Sequence, residues 1–383
     1  MSTTSIIDQI HNEEIFVRDT NRETVDIIFA GDFYMGNRTQ ELCRKNEYEK
    51  IYNEVLPALK QKDLSIVNLE NPLTGEGNPI PKVGPHLKAL PDCIHAIQYG
   101  GFDVVALANN HILDHGAVGL KNTIAACNAG HLKTVGAGLS SGEIQKPLIV
   151  NVKSVRIGFI NVTENEFSTI RDGEAGANAL DLISLYRQIT DTRKNADVLF
   201  IIVHGGHEFY PLPSPGMVKM YRHFADLGVA AVIGHHPHCA SGFEIWNGVP
   251  IFYSLGNFVF DWHEPQDEMW YKGYFVRLTV DNSSVARVKI FPYNQFKDDT
   301  GLHFIQGAKK LSFLNKVAEY SEIIQDSSAL DKRWREFCGS KKYEYLKNLL
   351  GLNRIESALL KRGIGAGYIF PRKDKLMLLN LLR

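Results

Sequence analysis

Residues 26–32 read DIIFAGD, a β-branched apolar run that closes on a glycine and an aspartate. Continuous apolar runs of this kind are typical of buried parallel strands. Five later runs also end in residues that can bind a metal or move a proton: Leu64–Val67 before Asn68 and Glu70, Val104–Ala108 before Asn109, Asn110 and His111, Ile157–Val162 before Glu164, Val198–Val203 before His204, and Val229–Ile233 before His235, His236 and His238. Open α/β sheets bind ligands beyond the carboxyl ends of their strands. The pattern therefore predicts that these side chains meet at one edge of a sheet, as in an enzyme.

Segments with helical spacing alternate with the apolar runs, which predicts βαβ units and an α/β fold. The predicted helices are Tyr48–Gln61, Pro91–Tyr99, Gly116–Ala129, Leu180–Lys194 and Pro215–Leu227. Antiparallel strands are predicted afterwards, at Phe243–Trp246, Ile251–Ser254, Phe258–Phe260, Tyr274–Val280 and Val285–Pro292. The last predicted helices are Phe313–Ile324, Leu330–Phe337, Tyr343–Leu350 and Arg354–Leu360. We expect a lead-in with one irregular helix at 1–22, a main domain at 23–298 and a helical extension at 299–383.

The composition is that of a globular protein with one large domain and an appendage. Of the 383 residues, 44% are hydrophobic and 22% are charged. The formal net charge of −1 indicates no particular partner, and nucleic acid is not expected as one. Residues 301–383 are locally basic, with 16 Lys/Arg against 8 Asp/Glu. This is either a solvated helical face or a surface for an anionic polymer, a membrane or an acidic protein.

Cysteine usage and hydropathy predict a cytoplasmic protein. The five cysteines are widely spaced and include no CxxC pair, which favours a reducing compartment. The polar stretch Met1–Arg22 has no apolar core, and no run of 18 apolar residues occurs. Neither a signal peptide nor a transmembrane helix is therefore expected.

The residues at the strand ends form a plausible ligand set for a metal. Asp32 and Glu70 supply anionic oxygens and Asn110 supplies a carbonyl oxygen. Ring nitrogens come from a group of histidines, namely His111, His204, His236 and His238. Such mixed oxygen and nitrogen sets suit Mn, Zn or Fe. A carboxylate that bridges two cations about 3.5–4 Å apart can clamp both oxygens of a phosphoryl transfer, and a histidine outside the metal shell can protonate the leaving group.

Further polar residues near the strand ends are candidates for binding a substrate. His207 and Glu208 follow a Gly-rich strand exit, where the backbone can approach a ligand closely. Glu208 is a candidate for orienting His204 or a water molecule. The substrate-binding candidates are Asn68, Asn109, Glu164, His207, His235 and Asn257. Asn68 and Asn109 have the alternative role of bracing their loops.

Seven segments stand in order along the chain: GDFYMG at Gly31, NLENPLT at Asn68, GFDVVALANNHILDHGAVGL at Gly101, VGAG at Val135, HGGHE at His204, GHHPH at Gly234 and GVPIFYSLGNFVF at Gly248. Taken in this order, they resemble the CapA family, which is associated with poly-γ-glutamate and capsule synthesis. The family is a divergent branch of the calcineurin-like metallophosphoesterases. The resemblance covers roughly residues 25–261 and does not extend to the tail after about residue 300. It implies a four-layer α/β/β/α sandwich.

The resemblance also implies a role for each matched residue. Asp32 matches the first motif, and Glu70 stands where the bridging aspartate of the second motif would be. In the Asn110-His111 pair, Asn110 binds metal and His111 aids the leaving group. The implied metal ligands are Asp32, Glu70, Asn110, His204, His236 and His238. The residues expected to take part in catalysis are His111 and Asp32, together with Glu208, which is a candidate from the strand-end pattern and not from the resemblance.

Three positions depart from the family pattern. The third position of the first motif is normally histidine and here is Tyr34, so one metal loses a ligand. Glu70 has a longer side chain than the usual bridging aspartate. The last motif can be aligned on His235 or on His236, and the His-x-His spacing favours His236 with His238. These departures leave open a centre with two metals, one metal or none.

Three hypotheses for the function follow. The first is a metal-dependent hydrolase of a phosphoester or amide in a capsule or cell-surface polymer pathway, with one or two divalent metals. The second is a metal-free epimerase of a peptide or amino acid, with an opposed acid and base drawn from Asp32, Glu70, His111 and His236. The third is a non-catalytic component that grips an anionic polymer or docks on other capsule-synthesis proteins.

Overall fold

The computed structural model describes residues 6–169, 175–264, 266–297 and 299–350. Its strands, in chain order, are β1 (Glu14–Phe16), β2 (Val25–Tyr34), β3 (Leu64–Leu69), β4 (Val104–Ala106), β5 (Lys133–Val135), β6 (Ala137–Gly138), β7 (Leu148–Val152), β8 (Val155–Thr163), β9 (Gly176–Ala177), β10 (Val198–His204), β11 (Ala231–His235), β12 (Phe243–Trp246), β13 (Val249–Phe252), β14 (Asn257–Phe260), β15 (Lys272–Val280), β16 (Val285–Gln295) and β17 (Leu302–Phe304).

Helices fill most of the connections between these strands. They are α1 (Ile6–His11), α2 (Asn37–Arg44), α3 (Glu49–Tyr52), α4 (Leu56–Lys60), α5 (Ile94–Gly100), α6 (Gly116–Ala129), α7 (Ser141–Ile144), α8 (Leu182–Thr192), α9 (Pro215–Asp226), α10 (Gly307–Gln325) and α11 (Ser327–Leu350). Short 3₁₀ turns occur at Asn53–Val55, Pro91–Cys93 and Glu268–Tyr271.

The strands form two large sheets. The first has the order β1-β16-β15-β2-β3-β4-β5, with β14 beside the end of β2 and β17 beside β16. Strands β2 to β5 are parallel, whereas β15, β16 and β1 are antiparallel to their neighbours. The second sheet has the order β12-β13-β11-β10-β8-β7, and its central strands are parallel. The carboxyl ends of both parallel sets therefore carry the polar residues of the apolar runs.

The two sheets pack face to face through an apolar core, and helices cover their outer faces. Between the sheets, Phe29 of β2 contacts Phe159 of β8 and Phe200 of β10, with ring centroids 6.2 and 5.1 Å apart. Successive side chains of a strand point to opposite faces of the sheet. Ile28 of β2 therefore points outward and packs in a second core with Ile97 of α5. On the other sheet α8 and α9 bury their apolar faces. The predicted four-layer α/β/β/α sandwich is confirmed.

Several predicted elements differ from the structure. Strand β14 is parallel to β2, pairing Asn257 with Asp32, so the antiparallel prediction for Phe258–Phe260 was wrong. Strand β13 pairs antiparallel with β12 but parallel with β11. The predicted helix Tyr48–Gln61 is broken because Asn53 has a φ of 43°. An apolar pattern identifies such segments but does not define the direction of the partner strand.

The boundaries of the main domain also differ from the prediction. Residues 1–22 are not a mere lead-in, because β1 pairs with β16. After residue 298, β17 pairs with β16, and the amide of Phe243 donates to Ser321 Oγ of α10 at 3.0 Å. The chain divides into compact units at 1–326 and 327–383, so the helical extension begins later than residue 299.

In the second unit the structure describes one element, helix α11. The predicted helices Leu330–Phe337 and Tyr343–Leu350 are joined in it, since Gly339 does not interrupt the helix. The predicted helix Arg354–Leu360 lies outside the described residues. Among the helices that are described, none is long and apolar enough to cross a bilayer.

Candidate metal centre

Strand ends from both sheets bring the predicted ligands together. Asp32 lies in β2, Glu70 follows β3, Asn110 follows β4 and His204 ends β10. The histidines after β11 complete the cluster from the second sheet. Every member is buried, with exposed fractions between 0 and 6%: Asp32, Glu70, Asn110, His111, His204, His235, His236 and His238. The sheet-edge prediction therefore describes one compact site.

Two overlapping groups in this cluster have the geometry to hold a cation. One consists of Glu70, His204 and His236, and the other of Asp32, Glu70 and His238. Within each group the ligand atoms lie within 4.8 Å of one another. Glu70 belongs to both groups, which is the position of a bridging carboxylate.

Glu70 is the buried carboxylate whose hydrogen-bonding capacity is unused. Neither carboxylate oxygen has a hydrogen-bond partner among the described residues. Two histidine nitrogens lie near Oε1 but beyond hydrogen-bonding distance, namely His204 Nε2 at 3.5 Å and His238 Nε2 at 3.6 Å. Burial raises the pKa of Glu70 well above its usual value, and the negative charge of Asp32 adds to this. Orphaned buried oxygens are rare and costly in native proteins, so these atoms fit a cation.

Three possible ligand atoms converge around His204. Asn110 Oδ1 lies 3.0 Å from His204 Nε2, and His236 Nδ1 lies 3.1 Å from the same atom. One ring hydrogen cannot satisfy both contacts. Burial, followed by the charge of His236, lowers the pKa of His204 well below its usual value, and burial lowers the pKa of His236 to about 4. Both rings are therefore neutral near pH 7, which is the metal-binding form of histidine.

Asn257 fixes the tautomer of His238. The Asn257 amide nitrogen donates to the carbonyls of His238 and Trp270 at 3.3 and 3.2 Å, so its Oδ1 faces the ring. His238 Nδ1 donates to that oxygen at 2.9 Å, which leaves the lone pair of Nε2 directed toward Glu70. Such outer partners orient metal-binding histidines. Asn257 therefore positions a candidate ligand, which differs from its predicted substrate-binding role.

Asp32, unlike Glu70, is surrounded by donors. Asn68 Nδ2 donates to Oδ1 at 2.8 Å, His235 Nδ1 donates to it at 2.9 Å, and the amide of His236 donates to Oδ2 at 3.2 Å. Burial alone would raise the pKa of Asp32. The hydrogen bond and charge of His235 and the charges of His204 and His238 outweigh it and hold that pKa below its ordinary value. Asp32 is thus anionic throughout the physiological range.

The backbone around the last histidine motif is strained. His236 has a φ of 95° and His238 a φ of 57°, a region that non-glycine residues rarely adopt. The amide of His236 donates to Asp32 Oδ2. The backbone before Asp32 is itself tightly packed, because a Cβ added to Gly31 would lie 1.9 Å from Gly256 O. Strain of this kind persists only where surrounding contacts impose it, and it clusters at functional sites.

His111 stands beside the ligand groups with its own acidic partner. His111 Nδ1 donates to Asp114 Oδ2 at 2.7 Å, and both residues are buried. Burial lowers the pKa of His111, while the Asp114 hydrogen bond opposes that shift. The Nε2 atom is the remaining ring nitrogen, as a proton donor to a leaving group requires.

Three other predicted residues serve the scaffold of the site. Asn68 links Asp32 to His204, whose Nδ1 lies 3.2 Å from Asn68 Nδ2. Asn109 braces its loop, because Nδ2 donates to Leu69 O at 2.7 Å and Oδ1 accepts from the amide of His111. His235 is engaged with Asp32. These contacts differ from the substrate-binding roles predicted for Asn68, Asn109 and His235.

Glu164, His207 and Glu208 lie at the rim of the cluster. Glu164 approaches Gly205 so closely that an added Cβ there would lie 2.6 Å from Glu164 Cγ. Burial raises the pKa of Glu164 and lowers that of half-buried His207. Glu208 is exposed, and its negative charge contributes to the raised pKa of Glu70. Their positions are compatible with contact to a substrate.

Sequence reasoning missed four polar residues at the site. Asp114 was detectable in principle, since it follows His111 by three positions. Asn161 is buried and links the two sheets, because its Oδ1 accepts a hydrogen bond from the amide of Ala108 at 2.6 Å. Glu166 hydrogen-bonds the Asn110 side chain. Lys82 reaches the site from a Pro- and Gly-containing loop that carries no recognisable motif.

Tyr34 occupies the departure from the first motif. Its ring packs against Phe260, with centroids 4.9 Å apart, in a hydrophobic cluster that includes Leu87 and Trp270. Burial raises the pKa of its hydroxyl. The side chain of Tyr34 therefore contributes apolar packing. The ligand group formed by Asp32, Glu70 and His238 contains three ligands.

Two related sequences agree with the resemblance found in the sequence. The capsule biosynthesis protein CapA of Bacillus anthracis is 29% identical over 325 residues, covering 82% of this chain and 76% of that protein. The PGA biosynthesis protein CapA of Bacillus subtilis (strain 168) is 29% identical over 283 residues, covering 72% and 73%. A solved structure described as a novel phosphatase from Mycoplasma pneumoniae has a TM-score of 0.46 and 15% identity, covering 76% and 97%.

The family comparison covers the second sheet, the parallel strands of the first sheet and the whole cluster. Residues 26–262 match bacterial capsule synthesis protein PGA_cap, and this range contains every candidate ligand from Asp32 to His238. The matched region is more than half of the chain. This protein is therefore a member of the PGA_cap family of bacterial capsule synthesis proteins.

Proposed function

We propose that this protein is a metal-dependent hydrolase of a phosphoester or amide in capsule or cell-surface polymer synthesis. The single observation that carries the proposal is Glu70, a fully buried carboxylate that is shared by two groups of ligand atoms and whose oxygens have no hydrogen-bond partner among the described residues. A protein gains no stability from such an arrangement, so the arrangement favours a role in binding a cation.

The donor set fits one or two divalent metals such as Mn, Zn or Fe. Glu70, Asn110, His204 and His236 would hold one metal, and Asp32, Glu70 and His238 would hold a second. A bound metal supplies Lewis-acid stabilisation of negative charge on a phosphoryl or carbonyl oxygen. The loss of a ligand at Tyr34 favours the first position as the tighter one.

The chain's own residues supply the proton chemistry and the dry environment. In its doubly protonated form, His111 would pass the proton on Nε2 to the leaving group and keep the one on Nδ1, through which Asp114 holds the ring. Asn257 and Asn68 fix the orientations of His238 and His204. Burial of the cluster excludes bulk water, which strengthens the electrostatic interactions within the site.

The setting of the reaction is part of the same proposal. The relatives named for capsule and PGA biosynthesis support an anionic polymer, a peptide or a phosphoester as substrate, and capsule-synthesis proteins as partners. We propose a cytoplasmic location on the ground of the widely spaced cysteines, and docking of partners through the basic residues after 301.

Elemental analysis tests the proposal when it is run beside hydrolysis of a generic phosphodiester with and without Mn²⁺. Near-stoichiometric metal and Mn²⁺-stimulated turnover, both lost in Glu70→Ala, are expected. Glu76→Ala is the matched control, since Glu76 is exposed in the loop that follows. No metal above background after soaking would overturn the hydrolase, and solvent deuterium at an α-carbon of a peptide would then support epimerisation.

A further inference from the structure

Residues 75–88 form a loop that is closed at its base, which we call the strap. The amide of Thr74 donates to Ala89 O at 2.8 Å, and the amide of Ala89 donates to Pro72 O at 3.0 Å. The strap therefore leaves and re-enters the fold at nearly the same point, as compact surface loops do. Such loops are often functional.

The strap inserts one charged side chain into the protein. The Lys82 side chain is 1% exposed, whereas the neighbouring Val83 is 83% exposed. Lys82 Nζ forms an ion pair with Asp114 and lies 3.1 Å from His111 Nδ1. Burying an ammonium group is costly, and an apolar side chain would anchor a loop without that cost. An exposed apolar residue beside a buried lysine indicates that the charge itself is needed.

Asp114 connects the strap to His111. Its Oδ1 accepts from Lys82, and its Oδ2 accepts from His111 Nδ1 at 2.7 Å and from the amide of Leu87 at 2.6 Å. Its backbone carbonyl accepts from the amide of Ile80 at 3.1 Å. The carboxylate that holds the His111 ring is therefore itself held from the strap side by an ammonium group and an amide.

The charge of Lys82 also reaches the cluster. It lowers the pKa values of Glu70 and Glu166, in opposition to the burial that raises them. Its ammonium group lies 5.5 Å from the ring centroid of Phe167, which is itself partly exposed. Lys82 thus brings a positive charge to a region otherwise rich in carboxylates.

We propose that Lys82 is a positioning residue for His111, and that the strap must be closed to place it. Lys82 holds Asp114 Oδ1, so that Oδ2 meets His111 Nδ1 and the ring presents Nε2 for proton transfer. The effect of Lys82 on turnover rests on the proposed function, whereas its effect on strap closure does not.

Hydrogen exchange in the full-length protein tests strap closure directly. Lys82→Met should speed exchange of the Ile80 and Leu87 amides at least tenfold, and Lys82→Arg should restore most of the protection. Lys88→Met is the matched control, because Lys88 is exposed in the same strap. Thermal denaturation checks that both proteins are folded. If they are, equal protection of these amides from exchange in wild type and Lys82→Met would overturn the proposal.

Steady-state kinetics of Mn²⁺-loaded protein separate positioning from substrate binding. Lys82→Met should lower kcat at least tenfold with KM within twofold of wild type, and Lys82→Arg should recover part of the loss. A raised KM with unchanged kcat would show that Lys82 binds substrate instead. If the wild type itself shows no turnover, the proposed function fails while hydrogen exchange still decides whether Lys82 closes the strap.

Discussion

Glu70 and Glu244 are buried carboxylates in two regions of the molecule, and their surroundings are opposite. Glu244, on β12, accepts from Arg222 Nε and Nη2 at 2.9 and 2.7 Å and from the hydroxyl of Tyr253 at 2.7 Å. The Arg222 guanidinium also stacks on Trp246, 4.2 Å from the ring centroid. Glu70 has no hydrogen-bond partner among the described residues.

The comparison distinguishes a carboxylate that stabilises the fold from one that the fold must accommodate. The donors around Glu244 replace the water it loses on burial, so removing Glu244 leaves the partly buried Arg222 guanidinium without its acceptor. Glu70 loses its hydration on burial and gains no hydrogen-bond donor among the described residues. The free-energy cost of this desolvation has to be offset elsewhere in the fold. Four substitutions test this distinction, in order of decreasing effect.

Glu244→Ala should lower the free energy of unfolding by about 2–4 kcal/mol, because Arg222 and Tyr253 lose their shared acceptor. Urea denaturation at pH 7 measures the change, and metal content should stay at the wild-type level. Tyr186→Ala, an exposed change on the same side of the fold, serves as the control. A loss below about 0.5 kcal/mol would show that the network contributes little.

In metal-free protein, Glu70→Gln should change the free energy of unfolding in the direction opposite to Glu244→Ala. Replacing a buried carboxyl group that has no hydrogen-bond partner among the described residues should raise the free energy of unfolding by about 1–3 kcal/mol. The same variant should bind metal far more weakly than wild type in a titration. Destabilisation of the metal-free variant would contradict the comparison, since it would mean that Glu70 already has stabilising partners.

Asn257→Ala tests the link between Asn257 and His238. The variant should weaken metal binding about tenfold, because the His238 ring loses the acceptor that fixes its tautomer. Isothermal titration with Mn²⁺ measures the affinity. Asn247→Ala, which changes an exposed turn residue, should leave it unchanged. Equal affinities in wild type and Asn257→Ala would remove His238 from the proposed ligand set.

Asp281 is a third buried carboxylate, and it belongs with Glu244. Burial alone would raise its pKa, but hydrogen bonds from Arg18, Ser283 and Thr20 lower it below the ordinary 3.8. Its contribution to stability is present above pH 3.8 and is lost as the pH falls toward the lowered value.

Asp281→Asn should cost about 1 kcal/mol at pH 7, because the Arg18 side chain is 30% exposed and the pair is partly screened. The difference between wild type and variant should shrink as the pH falls below 3.8. Urea denaturation at a series of pH values measures it. A difference that is constant over the whole series would show that the pKa of Asp281 is not lowered by folding.

The sequence contained the signals for most of the strands and for the ligand cluster. A strand that is buried on both faces is continuously apolar, and the change to polar residues marks its end, as at Asp32 and His204. The helix Gly116–Ala129 was predicted with its observed bounds. These features are local, so a single sequence carries them.

The parts that escaped prediction depend on contacts between distant segments. The sequence around Lys82 carries no signal that this lysine is buried, because its burial depends on an ion pair with Asp114, which lies far along the chain. The direction of β14 follows from the path of the chain between the two sheets. The roles of Asn257 and His235 depend on which ring or carboxylate lies opposite, and spacing along the chain does not encode this.

The pairing of β14 and β15 with β2 has a consequence for biosynthesis. Strand β2 is made early, yet the neighbours on one of its edges are made only after every histidine of the cluster. Contacts so distant along the chain slow folding, and β2 keeps an open edge on the ribosome. A nascent chain that ends just after His238 would contain both carboxylates and all of the candidate ligand histidines, but neither β14 nor β15, which pair with the strand that carries Asp32. In such a truncated chain the candidate metal centre would lie beside an incomplete sheet, because one edge of β2 would lack its neighbours.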